Sequence, residues 1–254
     1  MRRFLFSTIF CLLVSGGPVH AEQFKALLFT KTLGWHHKSL NAGVTAMQKL
    51  AALHDFGLEW HEDATRFSDD NLAQFDVIIF LSTTGDILNA EQQMAMEKFI
   101  RSGKGFVGIH SAADTEYGWP WYQKLVGRTF RIHPEVQTAK LKVENRSFPG
   151  LETMPDVFLW TDEWYDFGGE NVDGLTYLLS VDESTYDVEA YWGGPARGKG
   201  MGDFHPIAWH HRFEGGRSFY TALGHLSASY EDTMLLSHIY GGIYWAATGK
   251  GLGN

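Results

Sequence analysis

The chain has 254 residues and a mass of 28.6 kDa; 44% of its residues are hydrophobic, 15% aromatic and 20% charged. This composition is typical of a globular protein and excludes a collagen-like, coiled-coil or disordered chain. The 21 basic against 30 acidic residues give a formal net charge of −9, which disfavours nucleic acid and anionic membrane surfaces as partners. We therefore expect a small molecule as the ligand.

The first 21 residues have the pattern of a secretory signal peptide. Arg2 and Arg3 precede an apolar run over residues 4–14, and the sequence VHA at 19–21 offers a cleavage site. The run is too short for a transmembrane helix, which needs about 20 apolar residues. We predict cleavage after Ala21, a periplasmic or secreted protein without membrane attachment, and a single domain over residues 22–254.

The only cysteine, Cys11, lies inside this predicted signal peptide. After cleavage the chain has no disulfide, no thiolate nucleophile and no cysteine ligand for a metal.

Strands and helices alternate in the first half of the chain. Short apolar runs predict buried parallel strands at 25–30, 58–62, 76–82 and 105–110. Between them, helices are predicted from a Ser39 cap to about residue 53 and over 90–101. This alternation predicts an α/β fold, in which helices cover both faces of a parallel sheet.

Past residue 130 the pattern changes to strands with few helices between them. The predicted strands are 138–144, 156–162, 175–181, 206–213 and 217–223, and a helix follows at about 232–247. The run Glu214-Gly215-Gly216 predicts a hairpin turn between the last two strands. The C-terminal half is therefore expected to extend the parallel sheet with antiparallel strands.

The loops at one edge of the predicted sheet are rich in polar and aromatic residues. In parallel sheets, ligands bind beyond the carboxyl ends of the strands. The loops that follow the predicted strands bring to this edge Trp35, His36, His37, His110, Asp114, Tyr117, Trp119, Trp121 and His225. We predict the functional site here.

His110 is the leading candidate among these residues. It follows an apolar strand and precedes the small residues at 111–113, an arrangement like a nucleophile elbow, where a sharp turn exposes one side chain. A histidine there can be a general base, a metal ligand or a nucleophile. His225 also follows an apolar strand, and Ser111 is a weaker nucleophile candidate because no Gly-x-Ser-x-Gly frame surrounds it.

A second imidazole and a carboxylate come from the middle of the chain. Pro134 forces His133 into an extended conformation, and Glu163 follows a predicted strand. Histidine and carboxylate sets bind zinc, but no histidine pair stands at close helical spacing. We therefore assign no metal ligand and predict no cofactor, with a divalent metal such as zinc as an alternative.

Aromatic residues are numerous in the predicted loops. Core packing is the ordinary role of such residues, and we assign it to the strand residues Trp160 and Trp209. Flat rings also hold the apolar faces of sugars while polar groups bind the hydroxyls. The aromatic residues of the loops are Trp35, Tyr117, Trp119, Trp121, Trp164, Tyr165 and Trp192.

Three segments resemble the trehalose-utilisation (ThuA-like) family: KALLFTKTLGWHHKS at 25–39, the block at 103–137 that contains GIHSAADT, and the late segment ending in TALGH at 221–225. The resemblance covers residues 24–249 and implies a flavodoxin-like, three-layer fold related to class I glutamine amidotransferases. Those enzymes carry cysteine at the elbow, where this chain has His110, and their late-strand histidine corresponds to His225. Glutaminase activity by thiolate attack is therefore excluded.

The resemblance also implies a role in disaccharide breakdown, on 3-keto derivatives made by a sugar oxidoreductase of the same pathway. We expect an exported enzyme that acts on a keto-sugar as a lyase, isomerase or hydrolase. His110 is expected as the base and His225 or Glu163 as the acid, and Asp114 orients an imidazole. The residues expected to hold the sugar are Trp35, His36, His37, Tyr117, Trp121 and His133. The alternatives are a sugar-binding protein without catalysis and a metal-dependent hydrolase.

Overall fold

The computed structural model describes residues 22–169 and 172–252. The predicted signal peptide lies outside the described residues. Within these two ranges, no helix has the length and apolar character needed to cross a membrane.

Within the described residues, thirteen strands and five α-helices follow one another. The strands are β1 (Lys25–Phe29), β2 (Gly57–His61), β3 (Val77–Leu81), β4 (Gly105–Ile109), β5 (Thr129–Ile132), β6 (Gln137–Val143), β7 (Val157–Asp162), β8 (Asp166–Gly168), β9 (Thr176–Asp182), β10 (Glu189–Ala190), β11 (Gly198–Lys199), β12 (His205–Phe213) and β13 (Gly216–Thr221). The helices are α1 (Leu40–His54), α2 (Asp69–Leu72), α3 (Ala90–Arg101), α4 (Pro120–Val126) and α5 (Thr233–Thr248).

Nine of the strands form one central sheet in the order β2-β1-β3-β4-β13-β12-β9-β6-β7. The first five strands of this order are parallel, and β3 and β4 are buried along their whole length. Successive residues of β4 point to opposite faces: Gly105 lies against Ala246 of α5, and Phe106 packs edge-to-face on Tyr122 of α4. Helices therefore cover both faces of the parallel half.

The other four strands extend the sheet in antiparallel fashion. β12 pairs with β13 and β9, and β6 pairs with β9 and β7, all antiparallel. Burial alternates along β6, where Ala139 and Leu141 are buried while Lys140 and Lys142 are exposed. This half therefore has one covered face and one solvent face, the usual state of an antiparallel sheet.

The predicted fold class, an α/β sheet with an antiparallel extension, is confirmed. The predicted strands and long helices lie within about two residues of the observed ones. The two shortest helices, α2 and α4, and the short strands β5, β8, β10 and β11 were not predicted, because segments of two to seven residues carry too little periodicity.

Two loop details differ from or refine the expectations. Ser39 precedes α1 as predicted, but its hydroxyl makes no helix cap and instead donates to the carbonyl of Gly224, 3.0 Å away. The hairpin between β12 and β13 forms as expected, with Glu214 and Gly215 both at positive φ. Ser39 therefore ties the start of α1 to the loop that follows β13.

Candidate functional site

A cavity of about 460 Å³ lies beyond the carboxyl ends of the parallel strands. Its lining comprises Trp35, His37, Asp114, Phe130, His133, Glu135, Val136, Glu163, Tyr165, Trp192 and His225. A groove of about 580 Å³ between α1 and α5 is larger, but His54 is its one imidazole and it has no carboxylate among its described lining residues. The cavity at the strand ends is therefore the candidate site.

His110 occupies the strained turn directly after β4. Its φ of +54° lies in the left-handed region, which a residue with a side chain rarely adopts, and its side chain is fully buried beneath the cavity. Nδ1 lies 2.8 Å from the carbonyl of Ala222 and must donate to it, so Nε2 carries a lone pair, to which the Tyr165 hydroxyl donates from 3.0 Å. Burial, with a smaller effect from His37, lowers the pKa of His110 well below its usual value and keeps the ring neutral.

Glu163 lies at the centre of a group of imidazoles. Its Oε2 is 3.0 Å from Nδ1 of His225 and 3.5 Å from Nε2 of His110, and its Oε1 is 3.3 Å from Nε2 of His133. Burial alone would lower the pKa of His225, but the Glu163 carboxylate outweighs burial and raises it. One buried carboxylate therefore serves three imidazoles that come from distant parts of the chain.

His37 completes the cluster from the loop after β1. Its ring packs edge-on against His110, with centroids 4.6 Å apart, and against His225 at 5.5 Å. Its Nδ1 lies 3.3 Å from the hydroxyl of Ser111. Burial lowers the pKa of His37 to about 4, against the opposing effect of Glu163. His37 is therefore a neutral imidazole at neutral pH.

Asp162 positions two of these groups through their backbones. Its fully buried carboxylate accepts the backbone N–H groups of Glu163, Gly224 and His225 at 2.9–3.0 Å, and the indole N–H of Trp160 at 3.2 Å. Burial is the largest influence on this carboxyl and raises its pKa to about 6. Asp162 thus fixes the end of β7 against the loop after β13.

Aromatic rings form the walls above this polar floor. Trp35 and Trp192 stand at the rim with 68% and 56% of their surface exposed. The ring of Trp192 lies edge-on to that of His133, with the ring centroids 4.7 Å apart, and the rings of Phe130 and Tyr165 have centroids 4.4 Å apart. Exposed flat rings next to hydrogen-bonding groups suit a ligand with both apolar faces and hydroxyls, such as a sugar ring.

The structure brings most of the sequence-predicted residues together. Trp35, His37, Asp114, His133, Glu163 and His225 line the cavity, and His110 lies beneath it. Asp114 faces the Tyr117 hydroxyl at 2.7 Å, and no imidazole is its hydrogen-bond partner in the described part of the chain. Burial raises the pKa of Asp114.

Three predicted sugar-binding residues lie outside the cavity lining. His36 is exposed, with Nδ1 3.1 Å from the Thr32 hydroxyl. The Tyr117 hydroxyl is within hydrogen-bond distance of the carbonyl of Phe130, so it supports the wall from behind. Trp121 stacks on Trp119 and donates to Glu214, at the opposite edge of the sheet.

Sequence reasoning left several residues of the site unassigned. The sequence pattern marks Tyr165 and Trp192 only as loop aromatics and gives no position or role for Asp162, Phe130, Glu135 and Val136. A signal for Asp162 existed: β7 runs in the same direction as β13, so its final residue reaches the same edge of the sheet. Trp192 arrives with the β10–β11 ribbon, for which the sequence has no comparable signal.

Four of these residues could hold a metal ion. His37, His110, Glu163 and His225 each offer one nitrogen or oxygen atom, and the four atoms lie within 4.8 Å of one another. Imidazole nitrogen and carboxylate oxygen are ordinary ligands of zinc and related ions.

The profile of the trehalose-utilisation family, ThuA, matches residues 25–246 of the chain. The chain belongs to the ThuA family. Among proteins with curated descriptions, none matches this ThuA protein.

Solved structures share the fold of this ThuA protein. A ThuA-like protein from Bacteroides uniformis ATCC 8492 superposes with a TM-score of 0.74 at 22% identity, over 94% of this chain and 98% of that one. A ThuA-like protein from Parabacteroides merdae ATCC 43184 gives 0.70 at 18% identity, over 91% and 92%. The cytoplasmic protein STM3548 from Salmonella typhimurium gives 0.59 at 9% identity, over 88% and 99%. At these identities the likeness extends to the fold alone.

Proposed function

We propose that this ThuA protein is an exported enzyme that acts on a 3-keto-disaccharide or related keto-glycoside by histidine acid–base chemistry. One observation carries the proposal: a buried carboxylate, Glu163, is contacted by three imidazoles at the floor of a cavity with aromatic walls. The family name, trehalose utilisation, supports a disaccharide as the substrate class.

A ketone at C3 of a sugar ring makes the neighbouring C2–H acidic, so an imidazole can remove that proton. The electron pair of the C–H bond moves to the ketone oxygen as an enolate. The enolate then expels the glycosidic oxygen at C1, which takes up a proton as it leaves. Each positioned acid or base in such a sequence contributes about 10² to 10⁴-fold in rate.

We assign the proton transfers to His133. It lines the cavity, its Nδ1 lies 2.7 Å from the carbonyl of Pro134, and its Nε2 lies 3.3 Å from Glu163. The carbonyl orients the ring, and the carboxylate stabilises the imidazolium that forms when Nε2 takes the proton. His110, the base expected from the sequence, lies beneath the cavity with both ring nitrogens engaged, so in this proposal it supports the site without touching the sugar.

Trp35 and Trp192 hold the sugar in this proposal. They stand on the rim, where their exposed rings can cover the apolar faces of the two sugar units. The 3-keto substrate requires an oxidation at C3, so a sugar oxidoreductase is the partner that supplies it.

The test is product analysis after incubation with 3-keto-disaccharides and with their unoxidised parents. We expect cleavage of the keto-sugars alone, and a fall in turnover of about 10² to 10⁴-fold in His133→Ala. His61→Ala, which alters a partly exposed histidine at the end of β2, should retain the wild-type rate. If calorimetry showed saturable binding of a sugar and none of the sugars gave a product, the proposed enzymatic activity would be wrong and a sugar-binding protein would be favoured.

A metal-dependent hydrolase is the second candidate, favoured by the cluster of His37, His110, Glu163 and His225. This hydrolase would differ from the enzyme proposed first in its substrate, because it would hydrolyse an unoxidised disaccharide. A chelator would abolish its activity. Cleavage of the keto-sugars alone would rule it out.

Export is tested separately. Expression of the full chain in a bacterial host should give a periplasmic or extracellular protein whose first residue is Glu22. A cytoplasmic protein with residues 1–21 retained would overturn this part of the proposal.

A further inference from the structure

We propose that His37, His110, Glu163 and His225 form a binding site for one divalent transition-metal ion of the zinc class. Their four donor atoms lie within 4.8 Å of one another. Within the cluster, Oε2 of Glu163 lies 3.0 Å from Nδ1 of His225 and 3.5 Å from Nε2 of His110. When four ligands surround a zinc ion tetrahedrally at the usual bond lengths, any two ligand atoms are about 3.3–3.5 Å apart. The two separations in this cluster are similar to that distance.

The hydrogen bond of His110 determines which of its nitrogens faces the cluster with a lone pair. Because Nδ1 lies 2.8 Å from the carbonyl of Ala222, which only accepts, Nδ1 holds the proton of the neutral ring. Nε2 then carries the lone pair; it lies 3.5 Å from Oε2 of Glu163 and accepts the Tyr165 hydroxyl from 3.0 Å. Nε2 and Oε2 are both electron-pair donors, so a cation that displaces the Tyr165 hydroxyl can bind both atoms.

Two atoms of the cluster also lack a hydrogen bond. Oε2 of Glu163 and Nδ1 of His225 are buried, and neither has a hydrogen-bond partner in the described part of the chain, although they lie 3.0 Å apart. Buried polar atoms without partners are costly, and an ion that both atoms ligate satisfies them together.

The surroundings match those of bound metal ions. A ligating histidine commonly donates its second nitrogen to a backbone carbonyl, as His110 does to Ala222. His110 is also held at a φ of +54°, and strained backbone of this kind is concentrated at functional sites. Three imidazoles and one carboxylate favour zinc, iron, nickel or copper over magnesium and calcium, which prefer oxygen ligands.

The position of the ion leaves it open to substrate. His37, Glu163 and His225 line the cavity, while His110 approaches from beneath. An ion held by these four groups would face the cavity, where it could take a sugar oxygen as a fifth ligand and stabilise the enolate. This catalytic role rests on the proposed function, whereas binding of the ion does not, and His133 remains free for proton transfer.

The experiment is a calorimetric titration of zinc chloride into the exported, chelator-treated protein. We expect one ion per chain, and a loss of at least about 100-fold in affinity in His37→Ala and in His225→Ala, since even outer-shell changes cost 10- to 100-fold. His36→Ala is the matched control: it removes the neighbouring exposed imidazole and should bind zinc with wild-type affinity.

A second control uses Tyr165, whose hydroxyl donates to the His110 nitrogen that the ion would occupy. Tyr165→Phe removes this competitor, so it should bind zinc at least as tightly as the wild type. Circular dichroism and thermal melting of each variant separate loss of a ligand from loss of the fold.

The results distinguish this inference from the proposed function. Absence of stoichiometric binding of zinc, or equal affinity in the folded wild-type, His37→Ala and His225→Ala proteins, overturns the metal site even if keto-sugars are cleaved. One tightly bound ion that depends on His37 and His225 supports the site even if no sugar is turned over.

Discussion

The parallel and antiparallel halves of the sheet differ in burial and in what they contribute to the site. In the parallel half, β3 and β4 are buried on both faces, whereas β6 alternates between buried and exposed residues and β7 between partly buried and exposed ones. His110 and His225 follow strands of the parallel half, while Asp162 and Glu163 come from β7 and the residue after it. In the cluster of His37, His110, Glu163 and His225, the parallel half therefore supplies the imidazoles and the antiparallel half the carboxylate.

This division means that neither half contains the site alone. The contacts of Glu163 with His110 and His225 form only where the loop after β7 meets the loops after β4 and β13. Asp162 maintains this contact by accepting the backbone N–H groups of Gly224 and His225.

The largest effect is expected in the parallel half, at Gly105. A Cβ there would lie 2.3 Å from the backbone oxygen of Ala246, and a backbone atom of α5 cannot rotate away. Gly105→Ala should lower the free energy of unfolding by about 4 kcal/mol, at the upper end for overpacking. The measurement is urea denaturation. Gly118→Ala, whose Cβ meets nothing within 4 Å, is the control and should be nearly neutral.

The next largest effect is expected in the pH dependence of stability, through Glu116 beside the parallel half. Its buried carboxylate accepts the backbone N–H groups of Ile87 and Leu88 and the amide of Gln93. Burial, with Asp86 adding to it, raises the pKa of Glu116 from 4.5 to about 7. The folded state therefore binds this proton more tightly than the unfolded chain, so stability falls as pH rises from about 4.5 to about 7, by at most about 3 kcal/mol.

Glu116→Gln keeps an oxygen for the two backbone donors but cannot ionise. Its unfolding free energy should lose this decline between pH 4.5 and 7, as followed by denaturant melts at several pH values. Glu91→Gln, at an exposed position of α3, should retain the wild-type profile. An unchanged slope in Glu116→Gln would place the titrating group elsewhere.

A smaller effect is expected at the junction of the two halves. Asp162→Asn replaces one carboxylate oxygen with an amide that faces N–H donors, so at least one buried hydrogen bond is lost. The free energy of unfolding should fall by about 2 kcal/mol in urea denaturation. The matched control is Asp173→Asn, which makes the same change at an exposed position. Equal stability of the two variants would mean that Asp162 does not join the halves.

The smallest effect is expected on the solvent face of the antiparallel half. Leu159 in β7 is 68% exposed, so Leu159→Thr should change the unfolding free energy by less than about 0.5 kcal/mol. A larger loss, measured by thermal or urea unfolding, would show that this face is covered in solution, and the contrast between the halves would weaken.

The same contrast explains how much of the fold could be predicted from the sequence. Strands such as β3, with five consecutive buried residues, are recognised from their unbroken apolar runs. β5 and β8 pair with each other outside the main sheet over three or four residues, and this pairing depends on tertiary contacts that no local pattern encodes.

The candidate site was predictable where strand direction alone places a residue. The rule on carboxyl ends located His37, Asp114 and His225 at the cavity. It also selected Trp121, which lies at the other edge because Pro120 starts a helix in that loop and carries the segment away. The position of Trp192 depends on how the short β10–β11 ribbon packs over the cavity, and the sequence has no local pattern that predicts this packing.

The hairpin turn at Glu214 and Gly215 directly precedes β13. It is therefore separated from the cavity, which lies beyond the carboxyl end of β13, by the whole length of that strand. The turn joins β12 to β13, and β13 carries His225 just beyond its far end. A one-residue shift in the register of β13 would move the strand by about 3.4 Å and reverse its side chains. A length change at this remote turn that shifts the register would therefore act as an active-site mutation.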